Sequence, residues 1–183
     1  MLTFHLACTK CNRDRRPNLD AYFASPIDDH DTSLFQFKKG GSEGQQICEA
    51  LAMLVGLRLW CDEWKDLRTT VEVRGDSVSA PTLVMFCRTK GKSAGIIARE
   101  IALDVAESVY RPDLGAHIPG TMNVAADHLS RLFDPTRQYT VPHSLQSARR
   151  DFPRRRTLDF YRSLRAPPAP QSLNGKSGGG ASK

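Results

Sequence analysis

Segments with the two-residue period of a strand alternate along this chain with segments of helical period, and that order predicts an α/β fold. Two observations carry the expectation. Thr70-Val71-Glu72-Val73-Arg74 is β-branched and alternates in polarity, as a half-buried strand does. Ile47, Leu51, Leu54 and Val55, and then Ile97, Ile101, Val105 and Val109, recur at helical spacing and mark the buried stripes of two long helices.

Taken in order, residues 1–20 show no clear period and read as an irregular N-terminal segment. Ala21-Tyr22-Phe23-Ala24 and Leu34-Phe35-Gln36-Phe37 look extended, around an acidic turn at Asp28-Asp29-His30-Asp31. Gly40-Gly41 breaks the chain, and Ser42 with Gln45 suggests a capping box opening a helix from about Gly44 to Trp64. After the strand at 70–74, Gly75-Asp76-Ser77 turns the chain. Residues 79–90 then read as a helix with Pro81 in its first turn. A second long helix spans 94–110, Ala116-His117-Ile118 is a short strand, and Asn123 caps a last helix from Val124 to Phe133. Beyond Pro135 the pattern dissolves into a basic stretch and then a Pro/Gly/Ser-rich flexible tail. The organisation expected is an N-terminal segment at 1–20, a domain at 21–135 and a tail at 136–183.

Composition narrows the classes. Hydrophobic residues make up 40% of the chain, an ordinary globular share. No uninterrupted apolar run approaches the length of a membrane span. The first charges follow the opening apolar residues instead of preceding them, unlike a secretory signal, so a cytoplasmic or nuclear setting is expected. Five scattered cysteines argue against a disulfide scaffold. Cys8 and Cys11 lack a second pair to complete a zinc site, and two incidental thiols is the plainer reading. The net charge of +6 is unevenly spread: residues 136–183 hold 10 of the 26 Lys and Arg but 2 of the 20 Asp and Glu. The preceding residues therefore carry 16 basic against 18 acidic groups. Arg149, Arg150, Arg154, Arg155 and Arg156, with Phe160 and Tyr161 nearby, mix groups that bind phosphate with groups that stack on bases. A solvated linker or a nuclear-targeting stretch would have the same composition.

Three carboxylates fall at informative places. Glu49 is early in the long helix, Asp76 follows a strand, and Asp127 lies in the first turn of the last helix. Taken singly they read as a solvated helix residue, a turn former and a partner of the helix dipole. Functional groups of α/β sheets gather at the carboxyl ends of strands, and carboxylates converging there suit Mg²⁺.

Longer motifs give these residues a context. Gln45-Gln46-Ile47-Cys48-Glu49-Ala50-Leu51-Ala52-Met53-Leu54 resembles the first helix of the ribonuclease H domain in retroelement reverse transcriptase polyproteins. Arg74-Gly75-Asp76-Ser77-Val78-Ser79-Ala80 and Ile97-Ala98-Arg99-Glu100-Ile101-Ala102-Leu103 resemble a later strand end and helix of that family. The most specific match runs from His117 to Leu132, with the pattern H-x-P-G-x-x-N-x-x-A-D-x-L-S-R. The resemblance implies a ribonuclease H-like mixed sheet flanked by helices. It also implies hydrolysis of the RNA strand of RNA–DNA hybrids, with two Mg²⁺ ions held in part by Glu49, Asp76 and Asp127. His117 and Asn123 would shape the loop before the last ligand. One feature departs from the family: the Asp of its first strand, which bridges the metals, has no counterpart. Phe23-Ala24-Ser25-Pro26 mimics the tail of that motif with Phe23 in place of the Asp. The better reading places Tyr22 to Phe37 between the opening hairpin and the first helix, with the first strand upstream; Asp20 and Asp28 are candidate substitutes. The expectation is an N-terminally truncated piece of a longer polyprotein with an impaired site, or an inactive nucleic-acid-binding or interaction domain.

Overall fold

The computed structural model describes residues 2–7, 20–39, 41–64, 70–75, 79–87, 92–107, 111–117, 124–132, 136 and 138–165. Its elements are β1 (Leu2–Ala7), β2 (Asp20–Ser25), α1 (Asp29–Phe35), α2 (Ser42–Leu59), α3 (Cys61–Trp64), β3 (Thr70–Gly75), α4 (Ser79–Phe86), α5 (Lys92–Ala106), β4 (Arg111–His117), α6 (Val124–Ser130) and β5 (Arg149–Arg150). Single 3₁₀ turns lie at 143–145, 158–160 and 162–164. The arrangement is α/β, with two small sheets among the described residues. β2 is the middle strand of one, antiparallel to β1 and parallel to β5; β3 and β4 form a parallel pair.

Strand β2 is buried on both faces, and this organises the layers. Ala21 and Phe23 enter the main core, against Leu51, Leu54, Trp60, Ile97 and Ile101. Tyr22 and Ala24, of opposite parity, pack with Leu129 of α6 and Leu145. Helices therefore cover one face of β2, while α6 and the segment around 139–148 cover the other. The stretch from Ala50 to Leu57 is buried almost continuously, because α2 packs against β1 as well as α4 and α5. A helix enclosed in this way needs no polar face.

Several local expectations change. Residues 2–7, read as irregular, form a strand whose register pairs Leu2 with Ser25 and Ala7 with Asp20. The piece at 34–37, read as extended, belongs largely to α1. Asp28 caps this helix by accepting from the Asp31 N–H at 2.8 Å, and the Asp31 carboxylate accepts from the Asp28 N–H at 3.2 Å. That reciprocal box starts the helix despite its short length, and Gln36 ends it at φ 53°. For α2, Gly41 occupies the N-cap position and Ser42 is the first helical residue, one place later than a capping box at Ser42 requires. The long helix also breaks at Trp60 into α2 and α3. β4 is longer than the expected 116–118; its register skips Asp113, a bulge next to Pro112, which has no N–H to give a ladder. On α5, Ile97 and Ile101 are buried as expected, but Val105 is exposed and Val109 lies outside the described residues.

The largest departure concerns the C-terminal stretch. Residues 138–165, expected as a basic stretch outside the 21–135 domain, are packed onto the body. Tyr161 is fully buried in the main core, with its ring edge-on to Phe35 at 5.8 Å.

Candidate functional site

Glu49 and Asp127 are carried by α2 and α6, both of which pack against β1. Glu49 is half-buried. Asp127 is exposed, and Arg131 one turn later reaches both its oxygens, at 2.9 and 3.2 Å. Asp76 lies outside the described residues. The strand before it, however, ends at Gly75 directly opposite His117, the last residue of β4. The carboxyl ends of two parallel strands thus lie side by side, one leading into Asp76 and the other towards α6. This is the end of a sheet at which α/β proteins place their chemistry. Asn123, Cys8 and Cys11 also lie outside the described residues.

As a donor set, carboxylates suit a hard divalent cation. The guanidinium on Asp127 would have to swing aside for one. An exposed i,i+4 pair of this kind is worth about 0.3–0.5 kcal/mol, a small obstacle.

A second cluster joins α1 to the C-terminal segment. One ligand atom each from Asp28, His30 and Asp31 lies within 4.8 Å of the others, close enough to share one cation. The site already has a positive charge. Arg156, almost wholly buried, donates from Nε to both Asp31 oxygens at 2.9 and 3.0 Å, and from Nη2 at 2.6 Å. It also donates to the Ser25 hydroxyl at 3.0 Å and the Pro26 carbonyl at 2.8 Å. The Tyr161 hydroxyl donates to Asp31 at 3.4 Å, and burial together with that carboxylate pushes its pKa far up. Asp28, a candidate substitute for the missing carboxylate, is instead the cap of α1. For Asp20 only the backbone is described, paired with Ala7.

The five arginines of the basic stretch have different fates. Arg149 donates to Asp151 at 3.0 Å and reaches Glu63 at 3.4 Å; these carboxylates push its pKa up. Arg156 is taken up by Asp31 and is withdrawn from the nucleic-acid-binding set, since a guanidinium almost wholly buried and paired with a carboxylate is not open to a phosphate. Arg155 is largely exposed, 4.0 Å from Asp28. Arg150 and Arg154 are exposed, and among the described residues neither pairs with a carboxylate. Arg150 instead sits over the ring of Phe152, 5.0 Å from its centroid.

Sequence reasoning missed a third cluster. Glu100 and Asp104, read as part of the helix pattern, are buried on α5. Arg58 from α2 donates to Glu100 at 2.6 Å and to Asp104 at 2.8 and 3.0 Å, with its guanidinium 4.8 Å from the Phe160 ring centroid. Arg162 pairs with Asp104 and Glu107, and the Ser163 N–H donates to Glu100 at 2.6 Å. Burial pushes the Glu100 carboxyl up, but the bonds from Arg58 and Ser163 outweigh it and hold the group below the usual range. The available signal was positional: Glu100 and Asp104 each follow a buried isoleucine by three residues, which places them near the buried face.

Trp60 is a packing residue. It lies against Phe23 at 5.8 Å, with its indole N–H donating to Asp151 at 2.7 Å. Cys48 and Cys87 pack on the core, and burial pushes both thiols up, away from the reactive thiolate. No helix among the described residues is long and apolar enough to cross a membrane. No protein-family model, curated protein or solved structure matches the chain.

Proposed function

We propose that this chain is a ribonuclease H-like domain of retroelement origin, directed at RNA–DNA hybrids and impaired in Mg²⁺-dependent hydrolysis of the RNA strand. The observation that carries the reading is the common carboxyl end of β3 and β4, next to Asp76 and on the path to the α6 helix of Asp127. Glu49, Asp76 and Asp127 would hold Mg²⁺ there, and the metal would supply water activation and stabilisation of the leaving oxygen. Selectivity would come from hybrid shape and the 2′-hydroxyl, not from base sequence. The impairment follows from the missing first-strand Asp of the family: Phe23, in its place, is buried in the core, and Asp28 is engaged as a cap. Ions held by an incomplete set are poorly placed, and positioning supplies much of the rate in phosphoryl chemistry.

The alternative, an inactive nucleic-acid-binding domain, draws support from Arg131 closing on Asp127. One assay separates the two. A hybrid with a labelled RNA strand is offered to the purified chain, with Mg²⁺ for cleavage and with EDTA for binding. The expected result is binding in EDTA and feeble cleavage in Mg²⁺ that Asp76→Asn and Asp127→Asn abolish. Binding without cleavage at any enzyme concentration selects the inactive domain. Failure to bind the hybrid, or cleavage indifferent to both substitutions, overturns the proposal.

A further inference from the structure

The exposed side chains between Arg150 and Arg154 point to a second ligand surface. From Arg150 to Arg154, exposure alternates: Arg150, Phe152 and Arg154 are open, while Asp151 and Pro153 are partly covered. That is the period of extended backbone. The inward residue Asp151 is pinned, its N–H donating to the Tyr22 carbonyl at 2.9 Å and its carboxylate accepting from Trp60 at 2.7 Å. Three outward side chains, spaced about 6.7 Å apart along such a strand, are therefore held on a rigid support. Phe152 is 71% exposed, an unusual position for so large an apolar ring. One guanidinium lies beside it, at 5.0 Å, and a second follows two residues on.

We propose that Arg150, Phe152 and Arg154 form a binding ridge for single-stranded nucleic acid, with a base stacked on Phe152 and its flanking phosphates on the two arginines. The chemistry favours this ligand. A ring 71% exposed, with one guanidinium over it and a second two residues on, offers stacking and phosphate pairing together, the combination by which single strands are held. A duplex keeps its base faces covered, so it would use the arginines and leave the ring idle. An acidic peptide would likewise need only the charges. The ridge depends on the proposed function only for the general class of partner, and its test needs no cleavage.

The experiment is fluorescence anisotropy of a labelled oligothymidylate with the full chain in EDTA, beside an RNA–DNA hybrid and a polyglutamate peptide. Phe152→Ala is expected to weaken single-strand binding about tenfold, within the range for loss of one stacked base, while Phe152→Tyr preserves it. Arg150→Ala with Arg154→Ala should weaken it further and make log Kd less dependent on log salt by about 1.4, at roughly 0.7 per phosphate contact. Arg99→Ala, an exposed change on α5, should alter neither. Because Phe152 is exposed, circular dichroism of its variants should match the parent. Single-strand affinity indifferent to Phe152, absent altogether, or no greater than that for polyglutamate overturns the ridge. Any of these results leaves the hybrid assay to judge the proposed function separately.

Discussion

Replacing Arg156 by Met tests whether the C-terminal segment is part of the fold. The thioether chain keeps much of the arginine's length and loses its five donors. Three bonds to Asp31 disappear, together with those to Ser25 and Pro26. Asp31 has no exposed surface, and its remaining partners are the Tyr161 hydroxyl at 3.4 Å and the Asp28 N–H at 3.2 Å. Leaving one member of a buried ion pair without its partner costs about 3–5 kcal/mol. For a domain of this size, each kcal/mol moves Tm by about 2–4 °C, so a fall of roughly 6–20 °C is expected. The assay is urea unfolding followed by tryptophan fluorescence and by circular dichroism, with coincident transitions required. Adding Asp31→Asn removes the stranded charge, and Asn can still accept from the Asp28 N–H. The double variant should therefore recover more than about 1 kcal/mol of the single variant's loss, the scale of coupling between contacting residues. A loss below about 1 kcal/mol in Arg156→Met, or a double variant no better than the single, would refute the reasoning.

Two further outcomes follow from the other anchors. Glu100→Gln should destabilise the chain at neutral pH. The native carboxyl is held below its ordinary value of about 4.3, so its contribution is present above that value and lost as pH falls through the folded pKa. The gap between parent and variant should accordingly narrow on acidification, read as urea midpoints from pH 7 to pH 3; a constant gap would count against the Arg58–Glu100 pair. Trp60→Phe removes the 2.7 Å bond to Asp151 while keeping an aromatic ring against Phe23, and should cost roughly 1.5–3 kcal/mol. An unchanged urea midpoint would show that Asp151 is held by Arg149 alone.

What was legible in the sequence is what local periodicity encodes. The strand at Thr70, the helices at Leu51 and Ile97, and the last helix around Asp127 all announce themselves within a dozen residues. β1 did not, although Leu2, Phe4 and Leu6 alternate with Thr3 and His5; it has one β-branched residue, Thr3, where the strand at Thr70 has Thr70, Val71 and Val73. α1 was misread because its seven residues are mostly polar and its stability rests on one capping box. The break at Trp60 reflects the tertiary pull of Phe23 and Asp151, which no local pattern displays. Of the candidate site, the motifs single out Glu49, Asp76 and Asp127 as carboxylates to test, whereas the partners of the arginines left no local sign. Arg156 meets Asp31 across 125 residues of sequence, and Arg162 meets Asp104 across 58. An Arg-rich stretch looks solvated until the acids that await it are placed in space.

Those distant pairs also change what the uneven charge means. The acidic body and basic C-terminal stretch are complementary surfaces of one folded unit, not a neutral domain with a polyanion-binding appendage. Asp31, Asp104, Glu107 and Asp151 are matched by Arg156, Arg162 and Arg149. Each match removes a guanidinium from the supply for phosphate. Of the five arginines singled out in the sequence, Arg150, Arg154 and Arg155 remain outward and without a close carboxylate. These five therefore confer a salt dependence of about three phosphate contacts, near −2 in log–log slope for a single strand. The same matches make wholesale deletion of residues 136–183 a poor probe of binding. It would withdraw Tyr161 and Leu145 from two cores, strand Asp31 without Arg156 and take Arg162 from Asp104. Lost affinity would then report lost structure. Substitution at the outward positions leaves every anchor in place, and only there does a change in binding measure the ligand contact itself.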